Sequence, residues 1–478
     1  MLPRYTRSSI ALLANEWLLL PLVVALVVYL PALWGVFVFD DFPWILQNHR
    51  LDPFDLWQRR PVALLTFAAN LRTTGVNPVA FHLVNIAVHL VNGALVYLVI
   101  ARTMPLAERR PWIAAAGAAM FLLHPAQTGA VTYVSGRATS LMTCCLLVAH
   151  LAAMRGLQER TIRRTALSLG AFALAVGSKE IALAYPAIWI GWLVFNEGMT
   201  VRDSMRVAAP QLMITVLLVG GMMLHPGYRS LLAEAAASGQ LSTTSTGKIE
   251  QRVGLGFCFN DDKPRDESCI ARRVEGVSRL ARFLVSPSTI SIDPGRRAAG
   301  LTDLLIVALA CIVAVIGLRT GPGAMAAGTV WLVIALFPTH VIFVRSDPAS
   351  DRLLYLPMVG VALCVSAFAG ALARLSVTHV TRSLCAAAAS AIVCAAAAGT
   401  WHRNTQYQSE IALWEDAVAK NATNPRAHVN LAYGYELQGD LDKAESQYRR
   451  ALAVRPNVYE AAHGLERVAR KREERIWP

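Results

Sequence analysis

Long uncharged stretches alternate with short polar segments along the first 400 residues of this chain. Apolar runs near 17–39, 79–101, 112–124, 138–154, 165–177, 181–195, 207–224, 301–318, 325–343, 353–373 and 384–400 predict membrane-embedded helices, about eleven in all. The first run, WLLLPLVVALVVYLPALWGVFVF, carries no charge and ends abruptly in two adjacent carboxylates, Asp40 and Asp41. It is longer than the apolar core of a secretory signal, and no small-x-small cleavage site follows it, so it reads as a retained span.

From Asn424 the pattern switches to soluble amphipathic helix. Leu431, Ala432, Tyr435, Gly439, Ala444, Tyr448, Ala451 and Pro456 fall at tetratricopeptide spacings, with one full unit from Pro425 to about Val458. Trp414 and Ala417 fit the unit before it, and Ala461 to Val468 the start of the next. The expected fold is therefore all-α. It has a polytopic helical membrane domain over 1–405, with a large outer-face loop region at 225–300, and a small tetratricopeptide domain over 406–478. Such a tail either offers a groove to a protein partner or caps the membrane domain.

Composition agrees: 55% of residues are hydrophobic and only 16% charged. The net charge of +13 would suggest nucleic acid in a soluble chain, but here the arginines fall in short loops between spans, which disfavours that reading. Arg4 and Arg7, Arg102, Arg109 and Arg110, Arg155 to Arg164, Arg202 and Arg206, Arg319, Arg374 and Arg382 share one face if the segment 279–290 lies at the interface instead of crossing. That face is expected to be cytoplasmic, with the amino end on it and the carboxyl-terminal tail outside. Cys144, Cys145, Cys311, Cys364, Cys385 and Cys394 fall in or beside apolar runs and read as small core residues. Cys258 and Cys269 share the polar loop, where an oxidising exterior would let them pair; two free thiols is the alternative.

The outer-face segments hold the candidate chemistry. In FVFDDFPWILQNHRL, Asp40 and Asp41 sit among aromatics that suit the C–H faces of sugar rings, and Gln47, Asn48, His49 and Arg50 add polar partners. Arg59 and Arg60 open the next amphipathic helix. His124, Gln127 and Arg137 flank the segment between two spans. Lys179 and Glu180 begin another span and are close enough in sequence to pair with each other. Arg345, Asp347, Asp351, Arg352 and Tyr355 precede a late one, and SPSTISIDPG adds Asp293. Converging arginines and a lysine could hold a lipid-linked phosphate, arginine through a bidentate fork and lysine as a point charge. His82, Asn85, His89 and Asn92 recur on one face of the second span; helix-to-helix hydrogen bonding is favoured over a metal site there.

The ordered set of DD after the first span, FHLVN, HPAQT…GRA, KE, SISID, DRLLYLP and a repeat tail resembles the transmembrane-and-TPR-containing (TMTC-like) O-mannosyltransferases of the C-type (GT-C) glycosyltransferase superfamily. The resemblance covers nearly the whole chain. It implies a membrane enzyme that moves a sugar from a polyprenyl-phosphate carrier to a protein Ser or Thr hydroxyl with inversion. It further implies that Asp40 or Asp41 is the catalytic base, that Lys179, Arg345, Arg352 and Arg137 hold the carrier phosphate, and that His124, Glu180, Asp293, His49, Arg60 and Tyr355 shape the sugar and acceptor pocket. The aspartate pair permits a divalent cation without requiring one. The tail is much shorter than in multi-repeat eukaryotic members, and Asp351 stands where the resemblance leads one to expect glutamate. The Ala- and Arg-rich composition points to a bacterial inner-membrane protein with a periplasmic active site and tail, acting with an undecaprenyl-phosphate monosaccharide. A lipid-linked oligosaccharide polymerase or ligase, and a non-enzymatic scaffold using its repeat tail, are the alternatives.

Overall fold

A computed structural model describes residues 16–46, 60–104, 110–226, 229, 269–295, 299–321, 323–339, 349–374 and 378–476. His49, Arg345, Cys258 and the side chain of Cys269 lie outside them. Among the described residues the regular structure is helical throughout. The membrane part comprises α1 (Glu16–Tyr29), α2 (Pro61–Thr74), α3 (Pro78–Thr103), α4 (Pro111–Leu123), α5 (Arg137–Glu159), α6 (Ile162–Ser178), α7 (Tyr185–Phe195), α8 (Val201–Val207), α9 (Ala209–Leu224), α10 (Cys269–Val285), α11 (Leu301–Thr320), α12 (Gly323–Phe337), α13 (Pro357–Leu372) and α14 (His379–Gln406). Proline opens α2, α3, α4 and α13, where its missing N–H costs nothing and its φ is already helical.

Each of the eleven apolar runs overlaps a helix among the described residues, but five described helices are long and apolar enough to cross a bilayer alone. A sixth arises if α8 and α9, bent by 63°, form one span. Others, such as α4, α12 and α13, have 13 to 16 residues. At 1.5 Å per residue these fall short of the roughly 30 Å hydrocarbon layer. The segment expected at the interface belongs to α10, an amphipathic helix that is not among the candidate spans.

The core sits where α3 packs between α4 and α5, with α1 and α13 against α4 and α12 against α13. Small residues permit that last crossing: a Cβ on Gly360 would lie 2.4 Å from the Gly328 carbonyl oxygen. Three residues on the polar face of α3, Asn85, His89 and Asn92, bond to neighbouring elements. Asn85 donates to the Val131 carbonyl (2.9 Å) and Asn92 to that of Ser140 (2.8 Å). His89 contacts the Tyr355 hydroxyl (2.8 Å) and the Leu122 carbonyl (3.1 Å). Among the described residues no group of three or more His, Cys, Asp or Glu could hold a metal. Three cysteines depart from the expected core placement: Cys311 on α11 and Cys385 and Cys394 on α14 are exposed, on helices whose apolar faces are largely unburied.

The tail consists of α15 (Glu410–Lys420), α16 (Pro425–Gln438), α17 (Leu441–Val454) and α18 (Tyr459–Ile476), packed in sequence. Ser409, Asn424 and Asp440 cap the first three through their side chains. Gly439 ends α16 at φ 81°, a left-handed conformation in which a Cβ would be crowded. The small and aromatic residues assigned to repeat positions, including Trp414, Ala417, Leu431, Ala432, Tyr435, Ala444, Tyr448 and Ala451, share one core.

Candidate active site

The carboxylate pair follows directly from how α1 ends. A 3-10 turn over Leu30–Trp34 stops at Gly35, where a Cβ would come within 2.8 Å of the His82 ring. The chain then extends, and the Val36 N–H donates to the Tyr407 carbonyl (3.0 Å) just beyond α14. Phe39 adopts φ 48°, rare for a side chain with a Cβ, and packs edge-on against Trp414 of the tail. This turn gives the two aspartates different environments.

Asp41 is fully buried. Its Oδ2 accepts the Val38 N–H (3.0 Å), and its Oδ1 accepts the Ser135 N–H (2.7 Å) and the Ser135 hydroxyl. Burial pushes its carboxyl from 3.8 up to about 7, against those three hydrogen bonds, which act to lower it. Between these values the folded protein holds the proton and the unfolded chain does not. The group's stabilisation is thus complete below about pH 4 and is lost as pH rises to about 7, a swing on the order of 4 kcal/mol. Thermal unfolding in detergent should show this fall between pH 4 and 7, and Asp41→Asn should flatten it. An unchanged slope in the variant would assign the titration to another group.

Asp40 is the open member, with its side chain 22% exposed. Its backbone N–H donates to the Tyr133 hydroxyl (2.9 Å), and its Oδ2 meets an Arg352 guanidinium nitrogen at 3.4 Å. The guanidinium also lies 5.5 Å from the centre of the Tyr133 ring. Beneath it, Asp351 accepts the Arg352 N–H (2.9 Å) and occupies the space a Cβ on Gly129 would need, 2.0 Å from Oδ1. Arg403 approaches Asp351 from α14 at 3.8 Å. Among the described residues the site thus offers the partly exposed Asp40 carboxylate beside Arg352, backed by the buried carboxylates of Asp41 and Asp351. Both Asp41 oxygens accept hydrogen bonds from N–H or O–H donors.

Other sequence-expected residues separate from this centre. Arg137 is wholly buried and donates to Asn85 Oδ1 (2.6 Å), Asn70 Oδ1 (2.6 Å) and the carbonyls of Thr66 (3.2 Å) and Phe81 (3.0 Å). It also lies over the Phe67 and Phe81 rings. It clamps α2, α3 and α5 together through these four acceptors. His124 receives the Ala126 N–H at Nδ1 and meets the Leu284 carbonyl at Nε2, joining α4 to α10. Asp293 is gripped by two nitrogens of Arg426 and contributes to the junction with the tail. Tyr355 is buried with its hydroxyl between His89 and Asn92. Lys179 and Glu180 do not pair with each other: Lys179 donates to Thr139 (2.6 Å), and Glu180 forms a forked contact with Arg60 at 3.0–3.1 Å. Arg60 stacks 5.7 Å from Trp44, forming a half-buried basic and aromatic corner.

Sequence reading missed Tyr133, Ser135 and Arg403. The first two lie inside the segment it singled out between His124 and Arg137, as uncharged polar residues at a turn between helices. Arg403 lies in the polar last turn of an apolar helix.

No family model matches the chain. Among curated proteins it is similar to mouse protein O-mannosyl-transferase TMTC3, 25% identical over 472 residues, covering 90% of this chain and 50% of that protein. Human TMTC4 is 25% identical over 496 residues, covering 89% and 64%. Drosophila melanogaster Tmtc1 is 33% identical over 180 residues, covering 34% of this chain and 20% of that protein. The chain spans about half the length of the TMTC3 relative it matches. Among solved structures, that of ArnT from Cupriavidus metallidurans bound to undecaprenyl phosphate aligns with TM-score 0.45 and 15% identity, over 95% of this chain and 78% of that one. Along nine-tenths of its length, this chain resembles the TMTC protein O-mannosyl-transferases.

Proposed function

We propose that the protein is an inverting glycosyltransferase that moves one sugar from a polyprenyl-phosphate carrier to a Ser or Thr hydroxyl of a protein. The observation that carries this reading is the accessible Asp40 carboxylate, 3.4 Å from Arg352, at the junction of the membrane bundle and the helical tail. The similarity to enzymes named protein O-mannosyl-transferases supports the reaction class and the acceptor.

Asp40 is the base. It takes the proton from the acceptor hydroxyl as that oxygen bonds to the anomeric carbon, and the bond from that carbon to the carrier phosphate oxygen breaks. The products are the glycoside and the polyprenyl phosphate, whose charge Arg352 meets once the donor has drawn it from Asp40. Arg345 and Lys179 are the further basic residues proposed for the phosphate, and the Arg60–Trp44 corner offers a wall for a sugar ring. Asp41 orients the loop through its three hydrogen bonds and does not touch substrate. The arginine-rich loops support a site and tail on the outer face, with the tail presenting the acceptor.

The test is a transfer assay with the purified full chain, a panel of polyprenyl-phosphate monosaccharides beginning with mannose, and Ser/Thr-containing protein acceptors. One donor should yield an acceptor heavier by one sugar. No transfer from any donor by demonstrably folded protein would remove the proposal, and a ladder of masses would instead favour an oligosaccharide ligase.

A further inference from the structure

The last turn of α14 carries a buried cation shared between the active-site loop and the tail. Arg403 is 3% exposed. One guanidinium nitrogen lies 3.8 Å from Asp351 Oδ2; the other donates to Gln406 (2.8 Å) and meets Asp416 of α15 at 3.4 Å. Asp416 also accepts from Gln406 (3.0 Å) and pairs with Lys420, whose ammonium donates to the Ile290 carbonyl (2.6 Å). On the other side, Asp351 holds the backbone N–H of Arg352, whose guanidinium reaches Asp40. Backbone and packing follow the same route: Val36 N–H bonds Tyr407, and Val38, Tyr133, Tyr407 and Leu413 form one small apolar cluster. Tail helix α15 therefore forms part of the wall behind the carboxylate loop.

We infer that Arg403 is a positioning residue that fixes the Asp40–Arg352 pair through Asp351, and that by sharing its charge with Asp416 it couples the state of the tail to the geometry of the site. Opposite charges buried between two elements are screened less than exposed ones and so hold the relative placement of those elements more firmly. An acceptor seated on the tail that shifts α15 would change the counter-charge at Arg403 and so move Arg352 relative to Asp40. This rests on Asp40 and Arg352 being the reacting pair. The structural coupling itself does not, so the test has two independent readouts.

The first is amide hydrogen exchange in the full-length protein, which needs no turnover. Arg403→Gln should speed exchange at residues 36–41 and 351–355 by about tenfold. Arg403→Lys should lie between wild type and Arg403→Gln, and Asp416→Asn, changed only on the tail side, should speed exchange in the same segments by a smaller factor. Unchanged exchange in those segments for Arg403→Gln and Asp416→Asn would overturn the coupling, whatever happens to the melting temperature. The second readout is kinetic. Arg403→Gln should lower kcat about tenfold with donor KM unchanged, and should add less than twofold in an Arg352→Gln background, because the two act through one contact. Fully multiplicative losses would overturn the positioning role. Wild-type protein inactive with every donor would remove the proposed function, while exchange still decides the coupling.

Discussion

Replacing Asp40 by asparagine should lower sugar transfer by about 10²- to 10⁴-fold while the protein remains folded. Asparagine is isosteric, and the backbone N–H of residue 40 keeps its bond to the Tyr133 hydroxyl. Only the proton acceptor and the negative charge facing Arg352 are lost. The side chain is partly exposed, so no buried donor is orphaned and the melting temperature should change little. Asp41→Asn should behave in the opposite way. Its two oxygens receive three donors from different directions, so an amide nitrogen must oppose either Val38 or Ser135. Its cost falls on stability, roughly 1–3 kcal/mol, and reaches activity through the loop. Transfer rate and thermal unfolding measured on the same preparations separate the two. Equal rate losses at equal stability would make both aspartates reacting groups.

Arg137→Ala should destabilise the membrane domain by roughly 3–5 kcal/mol, the largest stability effect expected of any single substitution considered. Four acceptors on α2 and α3 would lose their donor at once, and the space between Phe67 and Phe81 would empty. Arg137→Lys should recover only part of this, because an ammonium cannot reach all four acceptors from one point. The folded fraction should keep its donor KM. Thermal unfolding beside steady-state kinetics gives the check. A tenfold rise in donor KM with stability intact would return Arg137 to the carrier phosphate, where its sequence context had placed it.

That contrast shows what a linear reading could and could not reach. Charged residues beside apolar helices stand out in sequence, and Arg137, His124, Asp293, Arg352 and Asp40 were all visible as such. Which of them remain available to a ligand depends on who else competes for them. Arg137 is consumed by Asn70 and Asn85, and Asp293 by Arg426, 133 positions away. The Tyr355 hydroxyl lies between His89 and Asn92, partners 266 and 263 positions away. Lys179 and Glu180 are neighbours in sequence, but their side chains bond to Thr139 and Arg60. Sequence adjacency across a helix start does not bring two side chains face to face.

The chain alone determined the helical fold, the position of the aspartate pair just beyond the first apolar run and the amphipathic, repeat-spaced helices near the carboxyl end. These are local properties: uncharged length, proline and glycine punctuation, and the spacing of small and aromatic residues are written in consecutive positions. Only the tertiary structure decided that Asp40 is open and Asp41 closed, although they are adjacent and chemically identical. The difference comes from Ser135 and Val38 surrounding one carboxylate, while Tyr133 and Arg352 leave the other partly exposed. The partners Ser135, Tyr133 and Arg352 come from segments 93 to 312 residues away, and no pattern within the segment itself encodes their arrival.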